Sequence, residues 1–126
     1  MTSLCINKQG PNARVKPGDP LRFKVDFIAQ NPEEDPNRIL QLILFLDDKF
    51  LKCVYNDIPR THPNVTRGSV SFGCDLPLEN GKYTISSGWA YNWPWPLDAY
   101  NHLLSNPKNI EKVGTLTVGL APTEEV

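Results

Sequence analysis

The sequence predicts an all-β fold: an antiparallel β-sandwich with Greek-key connections and one short helix in its last long loop. Three observations lead there. Apolar and polar residues alternate with period two in several short runs, the pattern of strands with one buried face. Turn residues separate those runs. The chain also holds 12 prolines in 126 residues, against a usual ~5%, and proline is poorly tolerated inside helices.

Each element follows from its residues. Residues 3–6 offer an edge strand. Pro17-Gly18-Asp19-Pro20 is a turn, because proline fixes φ and glycine accepts unusual φ. In 21–28, Leu21, Phe23, Val25 and Phe27 alternate with Arg22, Lys24 and Asp26, which puts charge on one face and apolar bulk on the other. Residues 31–37 form a polar loop with two prolines. Residues 39–46 are apolar on both faces; their length of eight favours a central strand over a buried helix. Asp47-Asp48-Lys49 reads as a tight hairpin turn into a strand at 50–55.

Residues 57–68 form a turn-rich connection. Val70, Phe72 and Cys74 then alternate with Ser69, Ser71 and Gly73. After a turn at 77–81, Tyr83, Ile85 and Trp89 share one parity and Lys82, Thr84 and Ser86 the other. A strand at 113–120 closes the sheet, and 122–126 is a frayed tail. Residues 1–126 thus read as one domain of ordinary size, large enough to bury its own core.

The tripeptide Gly81-Lys82-Tyr83, a turn followed by Gly-x-Tyr at the start of a late strand, resembles the matching corner of immunoglobulin-like and fibronectin-like sandwiches. The resemblance covers the strand order loosely and this tripeptide specifically, and implies the fold class alone. An immunoglobulin pair of cysteines, one on the second strand and one near this tyrosine, is missing.

Apolar residues make up 40% of the chain and charged residues 21%, a globular composition. With a net charge of −1 and no basic stripe, no nucleic-acid footprint is expected. The longest apolar run, 42–46, is far short of a membrane span, so no membrane partner is expected either. Met1-Thr2-Ser3-Leu4-Cys5 has no apolar signal region, and a soluble cytoplasmic protein is the simplest reading. A mature secreted chain carrying an added methionine would read the same, and only there would the sequon Asn64-Val65-Thr66 matter.

Three cysteines at 5, 53 and 74 are an odd count at irregular spacing, which argues against a disulfide framework. Cys53 and Cys74 fall in strand-like runs and read as small buried hydrophobes. No metal-ligand spacing is present, and no metal or other cofactor is expected.

One segment is not explained by core packing. All three tryptophans lie in Trp89-Ala90-Tyr91-Asn92-Trp93-Pro94-Trp95, and Tyr100 follows. The connection from 92 to 111 is also far longer than a hairpin loop, and long ordered loops tend to carry function. Within it, Leu97, Tyr100, Leu103 and Leu104 have helical spacing, and Ser105-Asn106-Pro107 ends the helix. Leu97, Leu103 and Leu104 are expected to pack that helix onto the sandwich. Trp89 continues the buried parity of its strand and is assigned to the core.

Trp93 and Trp95 alternate with prolines, so an extended backbone turns them to one face with Tyr91. Rigid aromatic side chains with polar tips suit an interface. The candidate binding residues are therefore Tyr91, Asn92, Trp93, Trp95, Asp98, Tyr100, Asn101 and His102. A protein partner or a second copy of the chain would bury the rings as hot spots. A glycan would stack on the same rings, with Asn92, Asp98, Asn101 or His102 supplying hydrogen bonds.

An enzyme is not expected. Neither His62 nor His102 sits in a nucleophile or metal motif, and glycine-rich phosphate loops are absent. A triad of Cys53 or Cys74 with His62 and Asp57 is conceivable, because such arrangements are spatial rather than sequential. Glu33-Glu34-Asp35 and Asp47-Asp48 lack the spacing of a calcium loop and read as solvated turns.

Overall fold

The alternation at 21–28 produces the central strand of one layer. A computed structural model describes residues 2–30, 39–57, 65–74, 79–91 and 95–119. Strand β1 is Thr2–Ile6, β2 Asn12–Val15, β3 Leu21–Gln30, β4 Leu40–Leu46 and β5 Lys49–Asp57. Strand β6 is Val65–Cys74, β7 Gly81–Tyr91 and β8 Ile110–Val118, with helix α1 at Pro96–Ser105 before β8.

The protein is mostly β, with two sheets. One has three strands in the order β1-β3-β6, and the other five in the order β2-β8-β7-β4-β5. Leu4, Phe23, Val25 and Phe27 from the first sheet share one buried cluster with Leu42, Leu44, Ile85 and Leu116 from the second. Burying each such side chain is worth roughly 1.5–3 kcal/mol, so this shared interior is what holds the two sheets together. On β3 the charged parity, Arg22, Lys24 and Asp26, is exposed, as its alternation predicts.

Strand β4 is buried along its whole length. Leu40, Leu42, Leu44 and Leu46 face the shared interior, whereas Ile43 and Phe45 belong to a second cluster with Ala90, Ala99 and Leu103. The two-faced apolar run therefore has two covers: the opposite sheet on one side and α1 on the other. The Asp47-Asp48 turn joins β4 to β5, and Asp47 takes φ 54°, a left-handed conformation that Asp tolerates better than most residues.

Several features differ from the expectation. Not every pair is antiparallel: β2 runs parallel to β8, with Asn12 to Val15 opposite Thr115 to Val118. Strand β2 has only two buried residues, Ala13 and Val15, too few for alternation to reveal it. Strand β5 begins at Lys49, inside the expected turn, and β6 begins at Val65, inside the expected connection. Strand β8 starts at Ile110, three residues before its expected start at 113, and ends at Val118. The acidic loop 31–37, His62, Asn64 and the tail 122–126 lie outside the described residues, and β6 ends at Cys74, whose side chain is also outside them.

Glycine matters at one cross-strand contact. Gly68 lies opposite Phe27, and a β-carbon there would collide with the Phe27 ring, which occupies the space above the glycine. Among the described residues no helix is long and apolar enough to cross a membrane.

Candidate functional site

Helix α1 and the residue before it build the site. Trp95 is the N-cap in extended conformation, and Pro96 occupies the first helical position, where its missing N–H costs nothing. Asp98 in the first turn complements the positive end of the helix dipole. At the other end, the Asn106 backbone N–H donates to the Leu103 carbonyl at 3.0 Å and its side-chain Nδ2 donates to the His102 carbonyl at 3.1 Å. These bonds satisfy carbonyls that the helix leaves open, and Pro107 prevents its continuation.

The inner face of α1 consists of Ala99, Tyr100 and Leu103. Leu103 lies directly over Gly88 of β7, where an added β-carbon would sit 3.0 Å from Leu103 Cδ1. The Tyr100 ring packs at 5.4 Å from Phe45 and meets Phe50 edge-on at 5.7 Å. Its hydroxyl donates to the Asp48 carbonyl at 2.5 Å. The neighbouring Asp47 holds β7: its Oδ1 accepts the Thr84 N–H at 2.8 Å, and its own N–H donates to the Thr84 carbonyl at 2.7 Å. The Asp47-Asp48 turn thus ties both α1 and β7 to the β4–β5 hairpin.

The exposed face of the helix is mixed, with Leu97 and Leu104 among the polar Asp98, Asn101 and Ser105. Helical spacing predicts Leu97 and Leu104 to face inward, but they are 62% and 37% exposed, and Trp95 is 68% exposed. Among the described residues these are the large hydrophobic side chains left in water, and all three fall within ten consecutive positions. Asp98 and Asn101 are exposed beside them.

The remaining candidates are distributed as follows. Tyr100 is half-buried, with ring and hydroxyl both engaged by the fold. His102 is half-buried and lines a cavity of about 300 Å³ with Trp89, Ala90 and Asn109; among the described lining residues there is no cysteine or carboxylate. Tyr91 ends β7 opposite Leu40, but its side chain lies outside the described residues, as do Asn92 and Trp93. Trp89 packs against the main interior, its ring 6.1 Å from both Phe27 and Tyr55.

Cys53 is half-buried beneath the α1 side of the sheet, and its one thiol proton has two acceptors in reach, the Tyr55 carbonyl at 3.3 Å and the more distant Gln41 Oε1 at 3.7 Å. Burial pushes its pKa up, outweighing the opposing effects of the Tyr55 backbone and the Lys52 charge. Among the described residues, no group of three or more His, Cys, Asp or Glu is placed to hold a metal ion.

Leu97 and Leu104 were missed as surface residues because helical spacing alone does not say which stripe faces inward. The buried stripe is marked by the small Ala99, which lets the helix approach the sheet. Comparison with family models, with curated proteins and with solved structures finds no match to this chain, so its function must be read from its own residues.

Proposed function

We propose that the chain is a non-catalytic interaction module on an immunoglobulin-like Greek-key sandwich, and that its contact surface is the aromatic segment at 91–102 extended along α1 to Leu104. The fold reading is supported by the Tyr83 hydroxyl, which donates to the Glu79 carbonyl at 2.6 Å, four residues upstream. That is the geometry of the tyrosine corner of such domains. Ile85, fully buried, stands two residues after this tyrosine, where immunoglobulin domains carry their second cysteine.

One observation carries the function: Trp95, at the N-cap of α1, and Leu97 and Leu104, on α1, are exposed within ten positions while the other face of the helix is firmly seated. Large apolar side chains left exposed close together in the chain suit a contact site, and tryptophan is enriched among binding hot spots. The partner is a protein, either a different chain or a second copy of this one. Leu97 and Leu104 favour that reading over a glycan, because aliphatic side chains give a sugar no stacking face.

Replacing Trp95, Leu97 and Leu104 together by alanine tests the surface. Loss of partner capture or self-association with the fold intact supports it, and unchanged association overturns it. The glycan reading draws on the exposed Trp95 ring beside Asp98 and Asn101. A glycan array read with tryptophan fluorescence separates the two, since a saturable sugar response abolished by Trp95→Ala would favour the glycan.

A further inference from the structure

The outer face of the three-stranded sheet carries a feature unrelated to the aromatic surface. Arg22 and Lys24 stand on the same side of β3, two residues and about 7 Å apart along the strand. With Lys8 they border a cleft of about 540 Å³ whose lining includes Cys5, Ser71 and Asp19. That volume lies within the roughly 300–1,000 Å³ range of small-molecule sites.

Among the described residues that line it, the cleft holds three cationic side chains against one carboxylate. Among the described residues none of these cations has an ion-pair partner, and the one carboxylate, Asp19, accepts the Lys16 backbone N–H at 3.0 Å. The floor is low because β3 is flanked by small residues, with Cys5 and Ser71 on either side of Lys24 and Gly73 opposite Arg22. Gly73 gives room for the Arg22 guanidinium, whose Nη1 would lie 3.4 Å from a β-carbon placed there.

The rim is also fixed. Asn7 Nδ2 donates to the Pro20 carbonyl at 3.1 Å, and its Oδ1 accepts the Arg22 N–H at 2.7 Å. The Asn7 N–H donates to the Arg22 carbonyl at 2.8 Å. This clamp binds the turn that carries Lys8 to the strand that carries Arg22. Lys8 itself is held at φ 64°, a conformation that costs a non-glycine residue free energy.

We propose that this cleft is a binding site for a small oxyanion-bearing molecule, a phosphate ester or a carboxylate, seated between Arg22, Lys24 and Lys8. Arg22 supplies the planar fork that matches an oxyanion, and the two lysines supply point charge. The apolar edges of Pro20 and Cys5 leave room for an organic body on the anion.

The test is an amide NMR titration of the chain with inorganic phosphate, glycerol 2-phosphate and succinate, with sodium chloride holding ionic strength constant. The expected result is saturable shifts at Cys5, Lys8, Arg22, Lys24 and Ser71 with at least one of the three, which also separates phosphate from carboxylate. Arg22→Gln combined with Lys24→Gln weakens binding about ten-fold or more, while Lys82→Gln with Lys112→Gln, exposed cations elsewhere, changes it by less than about two-fold. Saturating anion also slows alkylation of Cys5 by the uncharged reagent N-ethylmaleimide, read by peptide mass spectrometry. Absence of saturable shifts with all three probes overturns the proposal. So do shifts indifferent to the Arg22/Lys24 change, or Cys5 alkylation unslowed at saturation.

Discussion

The Tyr100 hydroxyl donates to the Asp48 carbonyl at 2.5 Å, across 52 residues of chain. This bond joins the helix that bears the candidate surface to a turn that is itself held by Thr84 of β7. The outer face of α1 can expose Leu97 and still be presented in one orientation because its inner face is fixed in this way.

Tyr100→Phe removes the bond and keeps the ring contacts with Phe45 and Phe50. A loss of about 0.5–1.5 kcal/mol in urea unfolding is expected. Amide exchange in α1 should accelerate more than exchange in β3, a strand of the other sheet.

Gly88→Ala places a β-carbon 3.0 Å from Leu103 Cδ1 and 3.3 Å from the Asn109 carbonyl. Overpacking of this kind costs about 1–3 kcal/mol. Trimming the opposing side chain should relieve part of it, so the double variant Gly88→Ala/Leu103→Ala is expected to lose less stability than the sum of the two single losses. An additive cycle would contradict direct contact between helix and strand at this point.

Tyr83→Phe deletes the bond to the Glu79 carbonyl, with an expected cost of about 1 kcal/mol in thermal or urea unfolding. No effect would remove the tyrosine corner as support for the immunoglobulin-like reading.

Sequence legibility followed how each residue is buried. Strand β3 was readable because water on one face and the interior on the other force a strict alternation. The β4 run announced burial on both faces but could not name its covers, since the outer cover is a helix about 50 positions later. In α1 the large residues misled. At about 100° per residue Leu97 lies about 120° around the helix from Leu103, and the close seating is made through Ala99 and Gly88 instead. The Asp47-Asp48 turn was legible as a turn, but its bonds to Thr84 and Tyr100 depend on tertiary neighbours.

Cys53 gives a pH prediction. Its thiol is neutral at neutral pH, and burial raises its folded-state pKa above the ordinary 9.0. The unfolded chain then releases this proton at lower pH than the folded one. The contribution to stability is fully present below the ordinary thiol value and is lost as pH rises through the folded value. Urea midpoints should therefore fall less on alkalinisation in Cys53→Ala than in the unaltered chain. At fixed alkaline pH, iodoacetamide should modify Cys53 more slowly in the folded than in the unfolded protein.

The exposed positions should behave in the opposite way to the seated ones. Leu97→Ala is expected to change stability by no more than about 0.5 kcal/mol, because at 62% exposure the side chain is already largely in water. Leu103→Ala, fully buried, should cost about 2–5 kcal/mol.

The most direct measurement is quantitative affinity capture, comparing the tagged chain with its Trp95→Ala/Leu97→Ala/Leu104→Ala variant in extracts that also contain the untagged chain. The interaction reading predicts that at least one protein, or the untagged chain itself, is retained by the unaltered surface and lost from the variant at unchanged thermal stability. Equal capture by both forms, or capture of nothing by either, would contradict it.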